Sequence, residues 1–104
     1  AALLNGTHVD ATDEAGQTSL HFAADRGEAA MVKFLLEQGA SPNATDNEGI
    51  SVLQASVIAG NVEVTSMLLD AGADPDAPDM DGDTPRSLAE DDPSDAMKQL
   101  FASR

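Results

Sequence analysis

The chain has 104 residues, enough for one domain, and its 19 acidic residues against five basic ones give a formal charge of −14. That balance excludes ordinary nucleic-acid binding, disfavours an anionic membrane, and points to a basic protein or peptide as partner. With no cysteine, disulfides and thiolate metal ligands are excluded, and with 18 alanines, no Trp or Tyr and three Phe, thin close-packed layers fit better than one bulky core.

No apolar run approaches the ~18 residues of a membrane helix, and no signal sequence opens the chain. The absence of cysteine suits an intracellular, cytoplasmic setting. The chain begins Ala-Ala-Leu-Leu rather than with Met, which reads as a piece cut from a longer protein.

A period of 33 residues organises the chain. It relates Gly6, Gly39 and Gly72, then Gly16, Gly49 and Gly82, then Asp13, Asp46 and Asp79. Asp10, Asn43 and Asp76 keep the same step, as do Ala11, Ala44 and Ala77. The period divides the chain into the end of a partial repeat (1–12), repeats over 13–45 and 46–78, and a C-terminal capping repeat over 79–104.

In chain order, Thr18 offers a capping hydroxyl to a short helix that Gly27 stops. A second helix is predicted over Ala29–Gln38, with Met31, Phe34 and Leu35 on its buried face. Ser41 to Gly49 is a turn-rich loop. The next repeat predicts a helix after Ser51, a stop at Gly60, and a helix over Val62–Ala71 with Val64, Met67 and Leu68 inward. The last repeat places Pro93 where its predecessors have glycine, and Arg86 where they have Leu20 and Leu53. A polar Arg86 suits a terminal face that meets water. A last helix is predicted over Ser94–Ala102.

These segments resemble the ankyrin repeat. Gly16-Gln17-Thr18-Ser19-Leu20-His21-Phe22-Ala23-Ala24 matches its opening, with Ser19 in place of the usual Pro, and Gly82-Asp83-Thr84-Pro85 restores the Thr-Pro pair. Leu35 to Ala40 and Leu68 to Asp74 match the end of its second helix. The resemblance implies an all-α solenoid of stacked helix-turn-helix units joined by hairpin-like loops. Shorter fragments, such as Asp46-Asn47-Glu48-Gly49, resemble the repeats of multidomain acyl-CoA-binding proteins, which would make the chain a regulatory or tethering appendage. Leu20 to Asp25 and Ile50-Ser51 also resemble the myotrophin family of small ankyrin proteins, which would make it nearly a whole protein.

No enzyme chemistry is legible and no cofactor or metal is expected. There is no Gly-x-Ser-x-Gly elbow and no phosphate-cradling glycine loop. Aligning Gly82 with the sixth position of an EF-hand loop leaves Ala77 and Leu88 where the first and twelfth ligands belong. His21 stands where the resemblance implies a structural hydrogen bond between loops, and His8 falls in a turn. Asn43 reads as a stabiliser of its own loop through side-chain-to-backbone bonds. The resemblance also marks it, with Leu35 eight residues earlier, as a position hydroxylated in some members.

The expected function is a non-catalytic protein-interaction module, monomeric, with its partner on a concave face. The resemblance carries that face onto the loop tips, Glu14 and Gln17, Asn47, Glu48 and Ile50, and Met80, Asp81 and Asp83. It adds the inner-helix ends, Asp25, Arg26 and Ile58. Ile50, Ile58 and Met80 are apolar where solvent is expected, the pattern of an interface core. Ten acids between Asp70 and Asp95 stand against Arg86 alone and would steer a basic partner.

Overall fold

The computed structural model describes residues 11–102. Most of the expected partial repeat, with Gly6, His8 and Asp10, lies outside them. Six helices follow in order: α1 (Ser19–Arg26), α2 (Ala29–Glu37), α3 (Val52–Ile58), α4 (Val62–Asp70), α5 (Pro85–Glu90) and α6 (Asp95–Ala102). The only sheet-like pairing among the described residues is one isolated antiparallel bridge between Thr45 and Ser51. The fold is the all-α helix-turn-helix solenoid expected.

The helices start where hydroxyls stand ready. Thr18, Ser51 and Thr84, each 33 residues apart, accept from the backbone N–H of His21, Gln54 and Ser87 at 3.3, 3.1 and 3.0 Å. Each such cap is worth about 1 kcal/mol. Asn61 caps α4 by accepting from Val64 N–H at 2.8 Å. Gly27, at φ +70°, ends α1 in a left-handed conformation that only glycine adopts cheaply.

Helices α1, α3 and α5 pack side by side as one row, and α2, α4 and α6 as a second, each pair joined across the rows. The core runs between the rows: Leu20, Val32, Leu35, Leu53, Val64, Leu68, Met97 and Phe101 are essentially shut off from solvent. Burying one such side chain contributes roughly 1.5–3 kcal/mol, so each repeat depends on its neighbours for its core.

The buried stripe of α2 differs from the expected one. Val32 and Leu35 are buried and Phe34 partly so, but Met31 is 47% exposed. Its counterparts Val64 and Met97 are fully buried. A column exposed in the first repeat and buried in the last points towards the preceding neighbour, and among the described residues no helix precedes α2 on that side.

Arg86 also departs from expectation. It does more than tolerate water. Its Nε donates to Asp76 Oδ1 at 2.8 Å and its Nη1 to the Phe101 carbonyl at 2.7 Å, with 28% of the side chain exposed. It ties the loop before α5 to the last turn of α6, where unpaired carbonyls need donors.

The middle repeat carries two polar irregularities. Ser56 and Thr65 are fully buried and lie 2.8 Å apart, and each also reaches a backbone carbonyl, Leu53 and Asn61, at 2.7 Å. Gln54 takes the column of His21 and Ser87. His21 Nδ1 accepts from Thr18 N–H at 3.1 Å, and Ser87 Oγ accepts from Thr84 N–H at 2.9 Å. Gln54 makes no such return bond; its Nε2 reaches Asp79 Oδ2 at 2.7 Å and its buried Oε1 has no partner. An orphaned buried acceptor costs about 1–3 kcal/mol. Gln54→His rebuilds the arrangement of His21, at the expense of the Asp79 contact. The expected net gain is about 1 kcal/mol, a rise of about 4–8 °C in melting midpoint. A midpoint that falls would refute this reading of Gln54.

Candidate functional site: loop tips and the inner helix row

Each loop tip is held by one aspartate. Asp13 Oδ1 accepts from the N–H groups of Ala15 and Gln17, both at 2.9 Å. Asp46 does the same for Glu48 and Ile50 at 2.8 and 2.9 Å, and Asp79 for Asp81 and Asp83 at 2.9 Å. The aspartate backbone closes the turn: Asp13, Asp46 and Asp79 donate to the carbonyls of Gln17, Ile50 and Asp83 at 3.0, 3.0 and 2.8 Å. The Asp column is therefore a set of side-chain-locked turns.

The tips are also fastened to one another. Asn47 N–H donates to the Ala15 carbonyl at 2.9 Å, its Nδ2 donates to the Glu14 carbonyl at 2.8 Å, and Met80 N–H donates to the Glu48 carbonyl at 3.1 Å. Lower down, His21 Nε2 meets the Ile50 carbonyl at 3.0 Å, the loop-to-loop bond expected of it. With Nδ1 accepting from Thr18 N–H, Nε2 is the nitrogen that donates to that carbonyl.

Asn43 corrects an expectation. Its side chain serves the next loop rather than its own: Oδ1 accepts from Asp74 N–H at 2.7 Å and Nδ2 donates to the Gly72 carbonyl at 3.3 Å. Within its own loop Asn43 is engaged through its backbone N–H, which donates to Ser41 Oγ at 3.2 Å.

A hollow of about 180 Å³ opens between α1, α3 and the first two tips. Its apolar lining is Phe22, Ile50, Ala55 and Ile58. Its polar lining is Gln17, His21, Asp25 and Asp46. The period explains the shape: Ala55 occupies the column of Phe22 and Leu88, so a small residue sits between two bulky ones. Phe22 and Ile58 are 43% and 61% exposed, and Ile50 is half-buried.

Of the expected partner residues, this hollow gathers Gln17, Asp25, Ile50 and Ile58. Glu14, Asn47, Glu48, Met80, Asp81 and Asp83 are exposed along the tips instead, and Arg26 is exposed at the end of α1. Met80, at 77%, is the most exposed large apolar residue described, but does not line the hollow. Asn47 spends its amide on Glu14, which makes it a structural contact. Phe22 was missed, being noted only as part of the helix-opening motif. The signal was its step to Ala55 one period later.

Asp79, Asp81 and Asp83 lie with carboxylate oxygens within 4.8 Å of one another. Asp79 is committed to the tip: Oδ1 holds two amides and Oδ2 meets Gln54. The Gln54 amide, and the tip amides after it, hold the Asp79 carboxyl below the usual carboxylate range. The Arg86 guanidinium does the same for Asp76.

A family model for three copies of the ankyrin repeat matches residues 1–79. The chain belongs to the ankyrin-repeat family, whose repeats are in general protein–protein interaction modules without catalytic activity. The match ends at Asp79, yet α5 and α6 beyond it continue both rows of helices. No curated protein matches the chain, so the finer likenesses to acyl-CoA-binding proteins and to the myotrophin family rest on their short motifs alone.

Two tests follow from the tips. Gly49 has φ +79°, and an added Cβ would stand 3.2 Å from Asp79 Cα and from Met80 N. Gly49→Ala is expected to cost about 1–3 kcal/mol in chemical denaturation, and a neutral result would mean that the tips are not in contact. A lowered carboxyl pKa contributes stability above the ordinary carboxylate range that is lost as pH falls. Asp79→Asn is therefore expected to be less stable than the parent at pH 6, with the difference beginning to shrink as pH falls below about 4. A difference that does not shrink as pH falls would assign the effect to something other than charge.

Proposed function

We propose that this chain is a non-catalytic recognition module that binds a basic protein or peptide across the loop tips and the inner helix row. The observation that carries the reading is the hollow, in which Phe22 and Ile58 stand in water beside two carboxylates. Full burial of such a side chain is worth roughly 1.5–3 kcal/mol, and a partner that covers their exposed portions recovers the corresponding part. An apolar centre with a charged rim is the usual anatomy of an interface. A wider trough of about 430 Å³ between α2 and α4 mixes Lys33 with Glu37 and Asp70, so its charge selects no partner.

The module works by rigid presentation. The locked tips hold Glu14, Glu48, Met80, Asp81 and Asp83 in a row, Asp25 and Ile58 line the hollow, and Arg26 stands exposed at the end of α1. The net charge of −14 steers a basic partner and raises the association rate at low salt. This reading takes the chain as one monomeric domain in an intracellular setting, with repeats over 13–45 and 46–78, a cap over 79–104 and the end of a further repeat over 1–12. No described helix is long and apolar enough to cross a membrane.

The test is capture from native lysate at low and moderate salt, comparing the parent with a Phe22→Ala, Ile58→Glu double variant of unchanged circular dichroism. Partners held by the parent, lost by the variant and weakened by salt are the expected outcome. If the two proteins retain the same set, binding lies elsewhere.

A further inference from the structure

The chemistry of the hollow narrows its occupant. Its volume of about 180 Å³ falls below the ~300 Å³ at which small-molecule pockets begin, so it fits one side chain of a partner. No Lys or Arg lines it. Both ring nitrogens of its histidine are engaged within the fold. Asp25 is exposed, and Asp46 uses one oxygen on the tip amides, leaving the other without a partner among the described residues. The remaining lining is the Gln17 side chain at the rim, an aromatic ring and three aliphatic side chains, Phe22, Ile50, Ala55 and Ile58.

A purely aliphatic guest would strip water from Asp25 and Asp46 with nothing in return. A lysine would satisfy them as a point charge, with a strongly hydrated ammonium to bury. A guanidinium is weakly hydrated, stacks on aromatic rings, and presents a planar fork to carboxylates. Its methylene stem matches the aliphatic wall. Resting on the recognition reading above, we infer that this hollow is a receptor for one arginine side chain of the partner, stacked against Phe22, with Asp25 and Asp46 as counter-charges and Ile50, Ala55 and Ile58 along its stem.

The probes are fluorescein-labelled nine-residue peptide pools, with the centre fixed as Arg, Lys, citrulline or Leu and neutral randomised flanks. Each is titrated by anisotropy into the parent and into Phe22→Ala, Asp25→Asn and Ile58→Glu, all at exposed positions. Asp46 is left intact because it holds the tip. The Arg pool is expected to bind about tenfold tighter than the citrulline and Leu pools and several-fold tighter than the Lys pool. Phe22→Ala and Asp25→Asn are each expected to weaken it about three- to tenfold. A Leu pool that binds as well as Arg and is lost in Ile58→Glu would overturn the arginine assignment and leave the recognition face standing. An Arg pool indifferent to all three substitutions would overturn both, since charge attraction elsewhere would explain it. Absence of binding by the Arg pool up to millimolar concentration would overturn the arginine assignment.

Discussion

The structure depends on one contact made three times: a carboxylate oxygen holding two backbone amides of its own tip. Asp13, Asp46 and Asp79 convert a polar, helix-free segment into a rigid turn. Without that grip the tips would have no internal reason to keep a shape, since most of their side chains are exposed. With it, each tip becomes a fixed rung that bonds to the next, and the spacing of the rungs sets the register of the helices below. The helices in turn need that register, because the apolar faces of each pair are covered by the neighbouring pairs.

The irregular features concentrate in the middle repeat. Gln54 replaces an aromatic donor–acceptor with an amide that satisfies one end only, Ser56 and Thr65 place hydroxyls in the core, and Ile58 stands in the column of Asp25 and Asp91. The first three cost stability or leave it unchanged, whereas the last forms part of the hollow. Local rules broken in one unit of a regular array are where function or strain is to be sought. Ala55 fits the same pattern, a gap between Phe22 and Leu88 that exists only because the repeats are not identical.

Much of the fold was legible because a period repeats its evidence. The capping hydroxyls, the stop at Gly27 and the helix ends near Gln38 and Ala71 were each stated more than once by the sequence, and the structure agrees to within a residue. What was not legible lay in relations between repeats. Met31 looks buried from its own helix, and only its position at the first end of the described stack exposes it. Asn43 and Arg86 have local explanations that are plausible and incomplete, because their partners, Asp74 and Phe101, sit 31 and 15 residues away. The same holds for the candidate site. Apolar residues at solvent positions picked out Ile50 and Ile58, but Phe22 required knowing that its side chain points along the row towards Ala55 rather than into the core.

The division of labour inside a tip has an evolutionary consequence. Shape is carried by Asp46 and Gly49, and cohesion by the backbone of Glu48 and by Asn47. The side chains of Glu48, Met80 and Asp81 contribute to neither. Drift at those three positions is therefore nearly silent in folding while it rewrites the chemistry shown to a partner. A lineage built on this chassis can change its interaction repertoire without passing through an unfolded ancestor.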